Sequence, residues 1–230
     1  MSEPLTLDLL DKDGAIREAL DEGTQGTRAQ FFRRSIVGGG TFLAGGLLIG
    51  GLPKIALGAP SAQQDVEILN FALLLEYLES EFYIDAVNKA GASGLTAREL
   101  AFATTVRDHE VAHVEFLRQA LGSAARAKPQ FNFMDTTSDR AKFLATSIVL
   151  EDTGVAAYNG QGPRLRKQTL AAAAQIVSVE ARHAAWIRHI VAAPGYQNAP
   201  ADYPAPAALD PALTKAQVEA AVGQTGFITG

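Results

Sequence analysis

From residue 65 to about 193, apolar residues recur at spacings of three and four, the period of a helix that buries one face. Four segments carry this pattern. The first spans residues 65 to about 90 without Pro or Gly, places Leu69, Leu73, Tyr83 and Val87 on one face, and stops at Gly91 and Gly94. The second opens at Thr96, where Glu99 three positions on makes the signature of a capping box. Its face is Ala103, Val106, Leu117 and Leu121, and Gly122 ends it. Ser138 or Thr137 is expected to cap the third, with face Leu144, Ile148, Val155 and Tyr158, before Gly160, Gly162 and Pro163 break the chain. The fourth covers residues 163 to about 193 and turns Leu170, Ala173, Ile176, Ile187 and Val191 inward. No period-two alternation competes. Links are short within each pair of segments and longer between the pairs, over residues 123 to about 137. The pattern predicts an all-α fold, an antiparallel four-helix bundle with one longer crossover connection.

Polar residues interrupt each inward stripe. The second and fourth segments carry Glu-x-x-His, as Glu110-Val111-Ala112-His113 and Glu180-Ala181-Arg182-His183. Side chains three apart on a helix lie side by side, so each pair points toward the bundle axis together. Ser80 and Glu76 on the first segment and Glu151 on the third fall on the same stripes. Four carboxylates in a bundle core cannot all stay ionised uncompensated, because desolvation and mutual repulsion raise their pKa values. Two divalent cations balance four carboxylates, and two neutral imidazoles add nitrogen donors without changing that sum. The competing reading leaves the glutamates to Arg107, Arg118, Arg182 and Arg188 on the flanks of the stripes.

The first segment offers Glu76, Glu79 and Glu81, and an internal repeat chooses among them. Leu75-Glu76 followed by Tyr83 matches Leu150-Glu151 followed by Tyr158, and Glu110, His113, Leu117 and Arg118 match Glu180, His183, Ile187 and Arg188. The repeat selects Glu76 as the metal ligand. It leaves Glu79 as a group beside the ligands or an alternate ligand, and Glu81 in solvent. Tyr83 and Tyr158 are candidates to hydrogen-bond the ligands or to carry redox chemistry, against the commoner role of core tyrosines. His109 and His189 are read as helix-surface residues, Trp186 as a packing residue and Asp152 as solvent-facing.

Composition narrows the chemistry. The chain contains no cysteine, so disulfides, iron–sulfur clusters and thiolate sites are excluded, and any metal must be held by Asp, Glu and His, which suit iron, manganese or zinc. The net charge is −5 and no basic cluster lies beyond the N-terminal region, which argues against nucleic acid as a partner.

Outside the bundle, residues 1–30 are polar and read as a disordered leader. Phe32-Arg33-Arg34-Ser35-Ile36-Val37 then opens a moderately apolar stretch with seven glycines up to Gly51, followed by Lys54 and a run of small residues over 56–62. This order resembles a twin-arginine export signal. It implies a partner in the twin-arginine export machinery, cleavage between about Gly58 and Ala62, and a periplasmic or cell-envelope location. The alternative is a membrane anchor, with the signal left uncleaved; its length is near the spanning threshold, but its glycines make it a poor permanent span. The expected division is 1–62 leader and signal, 63–193 bundle, and 194–230 a Pro/Ala-rich tail that packs on the bundle with a short helix near 215–222.

The order Glu, Glu-x-x-His, Glu, Glu-x-x-His over residues 65–193 resembles the ferritin-like superfamily, and the stretch from Leu69 to Tyr83 resembles its exported, desiccation-associated members. The resemblance implies a ferritin-like bundle holding two metal ions, iron or alternatively manganese. It implies that Glu110 and Glu180 bridge them, with Glu76 and Glu151 as terminal carboxylates and His113 and His183 as one nitrogen ligand each. The expected activity is oxidation of Fe(II), or reaction with O2 or peroxide, in stress protection. A dimanganese catalase-like enzyme and a non-enzymatic stress-related bundle with structural metal are the alternatives, and a storage cage fits less well. A homo-oligomer is compatible with the sequence.

Overall fold

The computed structural model describes residues 60–192 and 204–229. The arginine pair, the glycine-rich stretch and the first two residues of the expected cleavage region, Gly58 and Ala59, together with residue 193 and residues 194–203 of the expected tail, lie outside the described residues. Among the described residues no helix is long and apolar enough to cross a membrane.

Four long helices form the body: α1 (Ala62–Asn88), α2 (Ala97–Leu121), α3 (Arg140–Gln161) and α4 (Lys167–Ala192). A further helix, α5 (Lys215–Thr225), follows, and a single helical turn at Ala90–Ser93 lies between α1 and α2. Each start has a side-chain acceptor for the orphan N–H groups of a first turn. Ser61 accepts from Gln64 N–H at α1, and both halves of the Thr96–Glu99 capping box form at α2. At α3 the cap is Asp139, which accepts from Lys142 N–H, rather than Thr137 or Ser138. Those two hydroxyls are committed elsewhere: Thr137 donates to Asp85 at 2.6 Å and Ser138 to the Asp135 carbonyl at 3.3 Å. Pro163 lies in a 3-10 turn, Gly162–Arg164, so α4 begins later than the sequence suggested. There the buried carboxylate of Asp65 on α1 accepts from Arg166 N–H at 3.1 Å and from the Thr169 hydroxyl, as an N-terminal cap supplied from another helix. Burial pushes the Asp65 carboxyl up, but these hydrogen bonds outweigh it and hold the group below its ordinary value.

Contacts fix the helix directions. Along α1, Asn70 reaches Ala124, Glu76 meets His113 and Tyr83 meets Phe102, so α2 runs antiparallel to α1. Tyr83 to Glu151 and Tyr158 to Glu76 make α3 antiparallel to α1 as well. Hence α2 and α3 run parallel, and Arg140 at the start of α3 reaches Glu99 in the first turn of α2. The connection between them must return along the whole bundle. The α2 helix is about 37 Å long at ~1.5 Å per residue, well within reach of the residues that link it to α3. This crossover is tied down as it goes: Asn70 donates to the Ala124 carbonyl and accepts from Arg126 N–H, Phe133 packs edge-on against Phe82, and Phe131 pairs with Ile228 in an isolated β-bridge. Among the described residues there is no strand.

The buried stripes differ from expectation at their edges. Leu170 and Val191 on α4 are largely exposed, and Ile190 is buried at the end of that stripe. On α3, Leu144 and Ile148 are half-buried while Phe143, Ser147 and Leu150 are enclosed. Phe143 is drawn inward because its ring stacks on Phe82, with centroids 5.6 Å apart. The α3 helix also runs through Gly160 rather than breaking there. The missing side chain lets residues before α5 dock, since a Cβ on Gly160 would lie 1.7 Å from the Leu213 carbonyl oxygen. Leu213 N–H in turn donates to the Ala156 carbonyl at 2.9 Å.

Two apolar clusters fill the bundle. One gathers Phe82, Phe102, Val106, Phe143 and Ile187; the other gathers Leu73, Tyr77, Leu117, Leu165 and Ile176. Along α2 and α4 the Glu-x-x-His motifs fall between residues of the two clusters, so the polar layer is closed by hydrocarbon on both sides.

Candidate metal centre

The polar layer brings together all six residues singled out as ligands. His113 Nδ1 lies 3.2 Å from Glu76, 3.2 Å from Glu110 and 3.0 Å from Glu180. His183 Nδ1 lies 3.0 Å from Glu110 and 3.2 Å from Glu151. Two groups of donors result: Glu76, Glu110, His113 and Glu180, and Glu110, Glu151, Glu180 and His183, with one ligand atom per residue within 4.8 Å of the others in its group. Glu110 and Glu180 are common to both. The four carboxylates are wholly enclosed, and His113 keeps the largest solvent exposure of the six, at 12% of its side chain.

The tyrosines bind crosswise. Tyr83 on α1 donates to Glu151 on α3, and Tyr158 on α3 donates to Glu76 on α1, each at 2.5 Å. Burial first, and the neighbouring carboxylate second, push both phenols well above their ordinary value, so they remain hydrogen-bond donors.

Glu79 also lies in this layer, buried and surrounded by Glu180, Glu110, Glu151 and Glu76. The cluster therefore contains five carboxylates rather than the four counted from the sequence. His109 is at the helix surface, as expected, but it also reaches the site. The residue is exposed, yet its Nδ1 lies 2.9 Å from His183 Nε2, with ring planes 17° from parallel. It is one helical turn before His113, so the two flank the groove into which α4 places His183; the i, i+4 spacing was the available signal. His189 is half-buried in the last turn of α4 and belongs to neither donor group. Trp186 packs edge-on against Phe102, and Asp152 pairs with Arg188 at the surface. Arg107 pairs with its neighbour Asp108, so neither it nor Arg188 is spent on the core glutamates.

Without metal, protons must neutralise this cluster. Burial drives Glu76 up to about 8 and pushes Glu79 and Glu180 well above the carboxylate range. Burial opposes charge on the imidazoles, but the surrounding carboxylates win, raising His113 to about 12 and His183 to about 10. Burial likewise opposes charge on Glu110, and the two imidazoles beside it, His113 and His183, outweigh it, taking that group down to about 2.

The fit to metal rests on unsatisfied donors. Buried polar atoms without a hydrogen-bond partner are rare in proteins, since each costs about 1–3 kcal/mol. Among the described residues Glu79 Oε2, Glu110 Oε1, Glu151 Oε2, both Glu180 oxygens and His183 Nδ1, all in this layer, have no partner in hydrogen-bonding geometry; Ser147 Oγ and Arg164 Nε are the two such atoms elsewhere. Carboxylate oxygens and imidazole nitrogens are the donors that iron and manganese accept. Residues 64–193 match the family model for a ferritin-like domain. A search of curated proteins found no match.

Proposed function

The chain belongs to the ferritin-like domain family, and on that premise we propose that it is a dinuclear-metal carboxylate protein of the cell envelope, using iron, that oxidises Fe(II) or reduces O2 or peroxide in stress protection. The observation that carries the reading is the sharing of Glu110 and Glu180 by two donor groups, which would keep two cations adjacent. In this reading Glu76 and His113 complete one position, and Glu151 and His183 the other. Two adjacent redox-active ions would supply the two electrons that a small oxidant takes up. The chain itself fixes Glu76 and Glu151 through the tyrosines, holds His183 through His109, and keeps bulk water out with the two apolar clusters. Manganese suits the same donors, which would make the reaction catalase-like. Export by the twin-arginine route is part of the proposal and is supported by the order of residues from Phe32 to Ala62.

Metal analysis of protein purified from its native host, beside Glu110→Ala, tests the centre. Two equivalents of iron or manganese in the wild type, lost in the variant, are expected; no metal in either sinks the proposal. The full enclosure of the carboxylates favours a second reading, in which metal serves stability alone. That reading expects a large drop in melting temperature on chelation and no consumption of O2 or peroxide with Fe(II), whereas rapid consumption excludes it.

A further inference from the structure

The two halves of the bundle are not equivalent at one position inside the metal layer. The register that aligns Glu76 with Glu151 and Tyr83 with Tyr158 also aligns Glu79 with Gly154. One half carries a third acidic side chain where the other carries none. The two residues are spatial complements as well as sequence counterparts. A Cβ built on Gly154 would lie 3.1 Å from Glu79 Oε1 and 3.3 Å from Glu180 Oε2. Glu79 and Glu180 thus lean over the bare backbone of α3, and Gly154 provides the hollow that admits both.

Nothing among the described residues rewards this arrangement. Glu79 is buried and its Oε2 has no hydrogen-bond partner. The ion pairs of His113 go to Glu76, Glu110 and Glu180, and those of His183 to Glu110 and Glu151, so neither imidazole serves Glu79. Glu79 stands outside both donor groups, yet it is a buried carboxyl with an idle oxygen beside Glu180, the residue both groups share, where burial without a partner is costly.

We propose that Glu79 is a seventh protein ligand of the dinuclear centre, admitted beside Glu180 by the absence of a side chain at Gly154. The assignment rests on the metal-centre reading above and makes the two positions chemically unequal. A fifth carboxylate raises the number of hard oxygen donors beyond what a tetrahedral zinc site takes, and suits iron or manganese at higher coordination number. Five carboxylates also match one divalent and one trivalent ion in charge, where four match two divalent ions.

The test is titration of the metal-free full chain with Mn(II), following stoichiometry, both dissociation constants and the melting temperature, for wild type, Glu79→Gln and Gly154→Ala. The glutamine keeps the size of the side chain and removes its charge. Expected is a loss of tenfold or more in affinity for one of two Mn(II) equivalents in Glu79→Gln, with a metal-free melting temperature equal to or above that of the wild type. Gly154→Ala crowds the hollow and is expected to weaken an equivalent while Glu79 remains. Both dissociation constants of Glu79→Gln within twofold of wild type overturn the assignment, whether or not Gly154→Ala folds. Wild type that binds two Mn(II) with Glu79→Gln unchanged overturns only the role of Glu79, whereas wild type that binds none overturns the metal centre itself.

Discussion

Tyr158 on α3 donates its hydroxyl hydrogen to Glu76 on α1, while Tyr83 on α1 returns the same bond to Glu151 on α3. Each half of the bundle thereby orients a carboxylate of the other. The bonds are 2.5 Å long and wholly buried. They leave each glutamate one oxygen for a cation and fix which way it points.

Removing one hydroxyl should cost metal affinity without changing the ligand count. Tyr158→Phe is expected to weaken Mn(II) binding about 10- to 100-fold, the usual effect of losing a group that orients a ligand. Tyr83→Phe should do the same, and the weakened position should differ between the two variants. Calorimetric titration of both separates them; an unchanged affinity in each would show that the tyrosines serve packing alone.

His109 should matter to one metal position only. When His183 gives Nδ1 to a cation, its Nε2 carries the hydrogen, and His109 Nδ1, 2.9 Å away, accepts it. The repeat places Val179 at the corresponding position of α4, so His113 has no such partner from that site. His109→Ala is expected to weaken one Mn(II) equivalent about 10-fold and spare the other, and His109→Gln, which keeps an acceptor, should recover part of the loss. Equal weakening of both equivalents would point to a general packing defect.

These residues also mark what could be read from the chain beforehand. The two Glu-x-x-His pairs were legible because three residues nearly complete a helical turn, so phase with the apolar stripe was enough to aim them inward. Glu76 was legible through its repeat partner Glu151. Glu79 was legible only as a group beside the ligands or an alternate ligand, because its place depends on a hole at Gly154 rather than on any side chain; the sharper signal was a mismatch in the repeat, and the comparison had sought matches. His109 was read as a surface residue of its own helix, whereas the contact that matters comes from His183 on another helix. The cap of α3 escaped for a related reason: Thr137 is spent on Asp85, a partner distant in sequence that local patterns do not reveal.

The docking of the segment that contains α5 depends on Gly160. A Cβ there would overlap the Leu213 carbonyl oxygen, a backbone atom that cannot swing aside as a side-chain tip can. Gly160→Ala is expected to release this segment and cost about 1–3 kcal/mol, the usual range for overpacking. Limited proteolysis should then cut near Leu213 while Mn(II) stoichiometry stays at the wild-type value. A variant that resists protease as well as wild type would show that the segment is held by α5 and the Phe131–Ile228 bridge alone.

The pH response should have opposite signs with and without metal. In the metal-free protein Glu76 is raised from an ordinary value near 4.5 to about 8, and His183 and His113 from 6.5 to about 10 and about 12. Across these windows the folded chain holds protons that the unfolded chain has released, so stability falls as pH rises from mild acid toward 9. Glu110, lowered to about 2, acts in the opposite direction; its contribution is present above 4.5 and is lost only as pH falls toward 2. Metal requires the same ligands without their protons, so its apparent affinity climbs with pH. Between pH 6 and 9 the melting temperature of metal-free protein is therefore expected to fall. The gap between metal-loaded and metal-free melting temperatures should widen over the same range, because cations then replace protons as the counter-charge. Melting curves with and without Mn(II) at several pH values check both signs, and a metal-free melting temperature that is flat or rising would mean that the buried imidazoles are neutral in the folded protein.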